Sequence, residues 1–186
     1  ALINFPSSYH RRLVFEELFY LELGLALKKK GLSIQPGIAF TIPREQMSRF
    51  IAALPFSLTS AQQRTLNEIM SDMEKPFPMN RLIQGDVGSG KTVVALIAAL
   101  AAIENGYQAV FMAPTEILAE QHYKTISTLA RNAGISMALL TGSQTKTQRT
   151  EILEQIRNGA AQLIIGTHAV IQEAVEFHRL GFAVID

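Results

Sequence analysis

The sequence predicts an α/β fold in which helices cover both faces of a parallel sheet, preceded by an N-terminal helical connector. From residue 79 onward, short apolar runs typical of buried strands alternate with helical segments. Strand–helix alternation of this kind favours right-handed crossovers and therefore a parallel sheet. Before residue 79 the alternation is missing, and a long helical pattern spans residues 8–30. We therefore predict a helical connector over residues 1–55 and an α/β lobe over residues 56–186.

The elements follow from apolar spacing and from the glycines and prolines that interrupt it. The predicted strands are residues 79–85, 108–113, 136–140, 162–165 and 181–186. The helices predicted within the lobe are residues 59–72, 91–105, 115–133, 147–157 and 169–174. In the connector, a short helix is expected after Pro43.

Composition limits the classes of protein that need to be considered. Hydrophobic residues make up 48% of the 186 positions and charged residues 18%, so the chain can bury a full core. The absence of cysteine excludes disulfides, thiolate zinc sites and thiol nucleophiles. A net charge of +1 provides no global basic field, so any contact with nucleic acid must be local. The sequence shows no signal segment and no apolar run long enough to cross a bilayer, and we expect a cytoplasmic protein without membrane contact.

Residues 85–92 match the phosphate-binding loop pattern, in which four free positions separate two glycines and Lys and Ser/Thr follow. The residues are Gly85, Asp86, Val87, Gly88, Ser89, Gly90, Lys91 and Thr92. Glycines let the backbone curl so that N–H groups point at phosphate oxygens, and the following helix adds partial positive charge. Lys91 can reach the β- and γ-phosphates, and the Thr92 hydroxyl can hold Mg²⁺. The alternative, a glycine-rich turn with a solvated lysine, fits the strand and helix predicted on either side less well.

Asp186 ends the last predicted strand. In phosphate-loop enzymes an aspartate at such a position completes the Mg²⁺ shell opposite the loop Ser/Thr. The alternative is an aspartate without a special role at the end of an apolar run. A catalytic glutamate usually follows this aspartate, and here the sequence stops. We therefore interpret the chain as a fragment truncated at its metal-binding strand.

Gln62 is compatible with two roles. An amide side chain can donate to and accept from the edge of adenine at the same time. Thr59 and Gln62 also have the spacing of a capping box at a helix start, and spacing alone favours the cap. The sequence contains no Asn-Lys-x-Asp element for reading guanine, which favours adenine as the base.

Three predicted strand-to-helix turns carry small hydroxyl residues at one edge of the sheet. The candidates for nucleic-acid contact in these turns are Thr115, Gly142, Ser143, Thr167 and His168. Ligands of open α/β sheets bind at the carboxyl ends of the strands, and hydroxyl and N–H groups there suit a phosphodiester backbone. The alternative is that each Ser or Thr is an ordinary helix cap and His168 a hydrogen-bonded turn residue.

Taken in order, these motifs resemble the first motor lobe of superfamily 2 DNA helicases. The similar segments are residues 85–92 (motif I), 114–122 (Ia), 141–143 (Ib), 166–169 (Ic) and 184–186 (the start of II). Residues 56–62 are similar to the upstream Q motif, which favours the adenine role of Gln62 over the cap. Residues 11–19 are similar to the link between a DNA-junction wedge domain and the motor in members that remodel branched DNA. The resemblance covers essentially the whole chain.

The resemblance implies an incomplete RecA-like NTPase lobe from an enzyme that hydrolyses ATP with Mg²⁺ to translocate on DNA. It implies remodelling of stalled forks and Holliday junctions in recombination and repair, by a monomeric motor. In this assignment Lys91 and Asp186 act in catalysis, Thr92 and Asp186 hold the metal, and the three turns contact the DNA backbone. The sequence lacks the second lobe and its arginine finger, so this chain is expected to bind ATP without unwinding DNA. A nucleotide-gated DNA-binding module and a phosphate-loop kinase or transferase for a small substrate are the two alternatives.

Overall fold

Four short parallel strands form the centre of the structure, a computed structural model in which residues 8–32 and 36–186 are described. The strands are β1 (Gln108–Met112), β2 (Met137–Leu140), β3 (Leu163–Gly166) and β4 (Leu180–Ile185). Their order across the sheet is β2-β3-β1-β4, and every neighbouring pair is parallel. The predicted parallel sheet is confirmed.

Helices precede, connect and cover these strands. They are α1 (Ser8–Leu32), α2 (Arg44–Ala52), α3 (Ser60–Met73), α4 (Lys91–Glu104), α5 (Glu116–Asn132) and α6 (Lys146–Arg157). The prediction of a helix at residues 169–174 is wrong, because only a 3-10 turn, His168–Ile171, forms there. Gln172 is already extended, with ψ at 148°, so a helix cannot continue through it. Within the described residues, no helix is both long and apolar enough to cross a membrane.

Alternate side chains of the strands enter two separate cores, one on each face of the sheet. In β3, Leu163 and Ile165 pack with α4 and α5, whereas Ile164 packs with α6 on the opposite face. In β1, Phe111 and Val110 divide between the two cores in the same way. This period of two is the pattern of a sheet covered on both sides, as the sequence predicted.

Helix α4 lies deepest in the structure. Its residues 94–103 are all buried, since β1 and β4 cover one side while α3 and α2 cover others. A helix that is apolar all round is stable only in such a position. The burial fixes the N-terminus of α4, and with it the residues directly before Lys91.

Residues 79–85, predicted as a strand, do not form one. The segment takes no part in the four-stranded sheet, and the side chain of Leu82 is 87% exposed. A strand requires ladder hydrogen bonds to a neighbour, which an apolar pattern alone cannot supply. Instead, Arg81 ties the segment to α3, with its Nη1 2.7 Å from Glu68 Oε2 and its Nε 3.0 Å from Asp72 Oδ2. Hydrogen bonds from Lys75 and Arg81 hold the pKa of Asp72 below its ordinary value.

The last part of the connector packs against the lobe. Phe40 and Met47 are buried in the same core as α4, and the Phe40 backbone N–H donates to the Met73 carbonyl oxygen at 2.9 Å. Gly37 approaches the backbone of Phe77 so closely that a Cβ there would overlap it. In contrast, α1 exposes large apolar side chains such as Phe15 and Phe19. The division of the chain at residue 55 stays a prediction.

Candidate nucleotide site and strand-end turns

The loop of residues 85–90 curls at two glycines with positive φ. Gly88 has φ of 81° and Gly90 has φ of 82°, a left-handed region that favours glycine. The Ser89 N–H donates to the Asp86 carbonyl oxygen at 3.1 Å, which closes the turn. Gly90 is the N-cap of α4, so the free N–H groups of the first helical turn face the loop. This arrangement can bind an anion without a cationic side chain.

Lys91 adds a cation to the same loop. Its Nζ donates to the carbonyl oxygens of Gly85 and Asp86, at 2.7 and 2.9 Å. The ammonium group is therefore held on the inner side of the curl. From there it can make a charge-assisted hydrogen bond to a phosphate oxygen.

Lys91, Thr92 and Asp186 line one cleft of about 280 Å³. Residues 79–83 and the end of β4 form its walls. The structure thus brings together three predicted site residues that are distant in sequence. A second cleft, of about 240 Å³, lies between α2, α4 and α5 and contains none of the predicted site residues.

Asp186 has a partner that the sequence did not predict. The His122 Nε2 of α5 lies 2.9 Å from Asp186 Oδ2, although 64 residues separate the two in the chain. His122 is the last residue of the segment that resembles motif Ia, and the sequence predicts no contact for it. A contact over this distance leaves no local signal, so only the chemical type of His122 could have suggested it.

Gln62 makes the cap that its spacing from Thr59 alone favoured, and a further contact. Its Oε1 accepts from the Thr59 N–H at 2.8 Å, and Thr59 Oγ1 accepts from the Gln62 N–H at 3.2 Å. Its Nε2 then donates to the Ser89 carbonyl oxygen at 2.8 Å. The capping box therefore also anchors the phosphate loop to the start of α3. An adenine contact of Gln62 stays a prediction.

Gln62→Ala should weaken ATP binding severalfold, in addition to a loss of helix stability of about 1 kcal/mol. The control is Gln148→Ala, since Gln148 forms the same capping box with Thr145 at the start of α6, and its Oε1 accepts from the Thr145 N–H at 3.1 Å. Titration calorimetry and thermal unfolding of both variants separate the two effects. We expect similar losses of stability and a loss of ATP affinity in Gln62→Ala only. If Gln62→Ala and Gln148→Ala bound ATP with equal affinity, the contact of Gln62 with Ser89 would have no effect on ATP binding.

The three predicted nucleic-acid turns lie at the carboxyl edge of the sheet. The register pairs Gly166 with both Met112 and Leu140, so β1, β2 and β3 end side by side. Thr115 and Thr167 follow two of these ends, and both also cap their helices. Thr115 Oγ1 accepts from the Leu118 N–H at 3.3 Å, and Thr167 Oγ1 accepts from the Ala169 N–H at 3.5 Å. His168 is exposed beside Thr167.

Gly142 and Ser143 meet a residue that was not predicted. The carboxylate of Glu116 accepts both of their backbone N–H groups on one oxygen, Oε1, at 2.8 and 3.0 Å. Glu116 begins α5, where an acidic side chain is favoured by the helix dipole. That preference was visible in the sequence, but the contact across 26 residues was not.

Known proteins are similar to this chain in sequence and in fold. The family model described as DEAD/DEAH box helicase matches residues 59–186. The ATP-dependent DNA helicase RecG of Aquifex aeolicus is 44% identical over 100% of this chain and 24% of its own length. RecG of Synechocystis sp. is 50% identical over 100% of this chain and 23% of its own length. A solved structure of RecG bound to a three-way DNA junction has a TM-score of 0.83 and 45% identity over 93% of this chain and 24% of that chain. The chain thus spans about a quarter of the length of these relatives.

Proposed function

This chain belongs to the DEAD/DEAH box helicase family, and we propose that it provides the first motor lobe of an ATP-dependent DNA helicase that remodels branched DNA. The observation that carries the proposal is the cleft in which Lys91, Thr92 and Asp186 meet. In the proposed division, residues 1–55 connect the lobe to other parts of the protein and residues 56–186 form the lobe. We further propose that the motor works as a monomer in the cytoplasm.

ATP with Mg²⁺ is the proposed ligand of the cleft. Residues 85–92 would hold the phosphates through their N–H groups and the ammonium of Lys91. The Thr92 hydroxyl and the Asp186 carboxylate are oxygen ligands of the kind that Mg²⁺ prefers. Bound Mg²⁺ would supply charge neutralisation at the β- and γ-phosphates. In this proposal Gln62 would meet the adenine edge with the second N–H of Nε2 and the second lone pair of Oε1, since the first of each is bonded to the Ser89 carbonyl oxygen and the Thr59 N–H.

Three side chains of this lobe have defined parts in the proposal. Lys91 binds and orients the γ-phosphate and stabilises the charge that develops there during transfer. Asp186 would hold the metal, and the hydrogen bond from His122 fixes the orientation of its carboxylate. Binding and positioning are therefore provided by this lobe.

Branched DNA is the proposed partner, in the form of stalled forks and Holliday junctions. The candidate contacts are Thr115, Gly142, Ser143, Thr167 and His168. What supports these contacts is that all five residues lie at the carboxyl edge of the sheet. Strand β4 ends at the same edge, directly before Asp186. Backbone N–H groups and hydroxyls in this position suit a phosphodiester chain that is held without reading its bases. The relative whose structure contains a three-way DNA junction is in agreement with this choice.

The proposal is tested by comparing this chain with the full-length protein. The chain alone should bind ATP but should not unwind a three-way junction, because cleavage in such motors uses an arginine from a second lobe. The full-length protein should hydrolyse ATP in response to DNA and separate the junction strands. Junction binding without ATP hydrolysis would instead indicate a nucleotide-gated binding module. ATP consumption that depends on a small acceptor and not on DNA would indicate a kinase or transferase.

A further inference from the structure

Two backbone N–H groups at the end of β2 converge on one carboxylate oxygen. Gly142 and Ser143 both donate to Glu116 Oε1, at 2.8 and 3.0 Å. Successive N–H groups that point at one oxygen anion are a recurrent way of binding phosphate in proteins. Gly142 allows the close approach, since a Cβ at this position would lie 3.0 Å from Glu116 Oε1.

Other polar groups of this turn form hydrogen bonds with side chains of the turn itself. Gln144 accepts from the Thr141 N–H at 3.2 Å and donates to the Leu139 carbonyl oxygen at 2.8 Å. The hydroxyls of Thr141 and Ser143 lie 3.3 Å apart. These bonds hold the turn in shape independently of Glu116. Gly142 and Ser143 are exposed, so a ligand from solvent can reach their N–H groups once the carboxylate moves.

The proposed function assigns the Gly142–Ser143 N–H pair to a DNA phosphate, and we propose that the Glu116 carboxylate competes with that phosphate for the pair. This inference rests on the proposed function, in which DNA phosphate lies along this edge. A phosphodiester and the Glu116 carboxylate are both anions and cannot accept the same two N–H groups together. Glu116 must therefore swing away before a DNA phosphate binds, and the affinity for DNA is set below the value that the turn alone would give.

The contact could instead serve as a structural brace, and that role predicts the opposite change in DNA affinity when Glu116 is replaced. If Glu116 served only to hold α5 against the turn, its removal would loosen the DNA-binding edge and weaken DNA binding. If Glu116 competes with phosphate, its removal frees the N–H pair and strengthens DNA binding. The direction of the change decides between the two roles.

The test compares Glu116→Gln with Glu120→Gln in fluorescence-anisotropy titrations of a short duplex at fixed salt. The Glu116→Gln substitution keeps the size and an acceptor oxygen but removes the charge, and hydrogen bonds to neutral acceptors are roughly half as strong. Glu120 is exposed one turn further along α5, so its replacement removes the same charge from the same helix. We expect Glu116→Gln to bind DNA roughly three- to tenfold more tightly and Glu120→Gln to change affinity less than about twofold. Unchanged or weaker DNA binding in Glu116→Gln, at an unchanged melting temperature, would overturn the inference.

Inorganic phosphate separates this inference from the proposed function. In NMR titrations of the ¹⁵N-labelled chain, the amide signals of Gly142 and Ser143 should respond to phosphate at lower concentrations in Glu116→Gln than in the wild type. This response, together with a lack of DNA binding in both proteins, would support the competitor and contradict the DNA proposal. An equal response to phosphate in both proteins would overturn the competitor, whatever the affinity for DNA.

Discussion

Lys91→Ala should reduce ATP hydrolysis by the full-length protein at least about 100-fold, the loss that follows removal of one donor to a developing charge. Lys91 Nζ lies within hydrogen-bond distance of two loop carbonyls, so its position is fixed inside the curl that would hold the phosphates. Because Lys91 lines the nucleotide cleft and is not one of the candidate DNA contacts in the turns, DNA affinity should stay within about twofold. Strand separation of a three-way junction should be lost together with hydrolysis.

The measurements are steady-state phosphate release with saturating DNA and a binding titration with the same DNA. Lys124→Ala is the matched control, since Lys124 is an exposed lysine on α5 outside the cleft. It should leave both quantities unchanged. If Lys91→Ala hydrolysed ATP at near the wild-type rate, the cleft would not be the site of chemistry.

Gly90→Ala should reduce ATP affinity at least about tenfold, through two separate effects. The φ of Gly90 is 82°, and an alanine in this region costs about 1–2 kcal/mol. A Cβ on Gly90 would also overlap Gln62 Nε2, which is held by its hydrogen bond to the Ser89 carbonyl oxygen. Gln62 can move away only if it gives up this bond, so the loop loses either its curl or its anchor.

Gly88→Ala is the control that isolates the overlap. Gly88 has nearly the same φ, 81°, and nothing lies within 4 Å of a Cβ built there. Calorimetric ATP titrations should therefore show a smaller loss for Gly88→Ala than for Gly90→Ala. In the double variant Gly90→Ala/Gln62→Ala the overlap is gone, and the combined loss should be smaller than the sum of the single losses. A strictly additive result would show that backbone strain alone accounts for Gly90→Ala.

Local sequence was sufficient for the elements whose signals are local. The glycines of the loop, Lys91 and the apolar helix behind them are contiguous, and their pattern predicted both the curl and the buried α4. The alternation from residue 79 onward predicted a parallel sheet, and its strands after residue 106 were right because their strand, helix and turn signals each lie within a few residues. The capping box of Thr59 and Gln62 was visible as a spacing of three.

Contacts between distant segments had no such signal. The prediction of a strand at residues 79–85 was wrong because an apolar run does not show whether a neighbouring strand is available for backbone hydrogen bonds. The anchoring of Ser89 by Gln62 spans 27 residues, and the contact of His122 with Asp186 spans 64. The contact of Glu116 with the N–H groups of Gly142 and Ser143 spans 26 and 27 residues, so the sequence around either segment contains no signal for it.

Helix α5 contacts two of the places at which ligands are proposed to bind, both at the carboxyl edge of the sheet. Glu116 at its beginning contacts the turn after β2, and His122 contacts Asp186 beside the phosphate loop. The two residues are about 9 Å apart along one continuous helix, at 1.5 Å per residue. The same helix thus carries the side chain that a DNA phosphate would displace and the side chain that orients the proposed metal ligand, so the two proposed sites share one structural support.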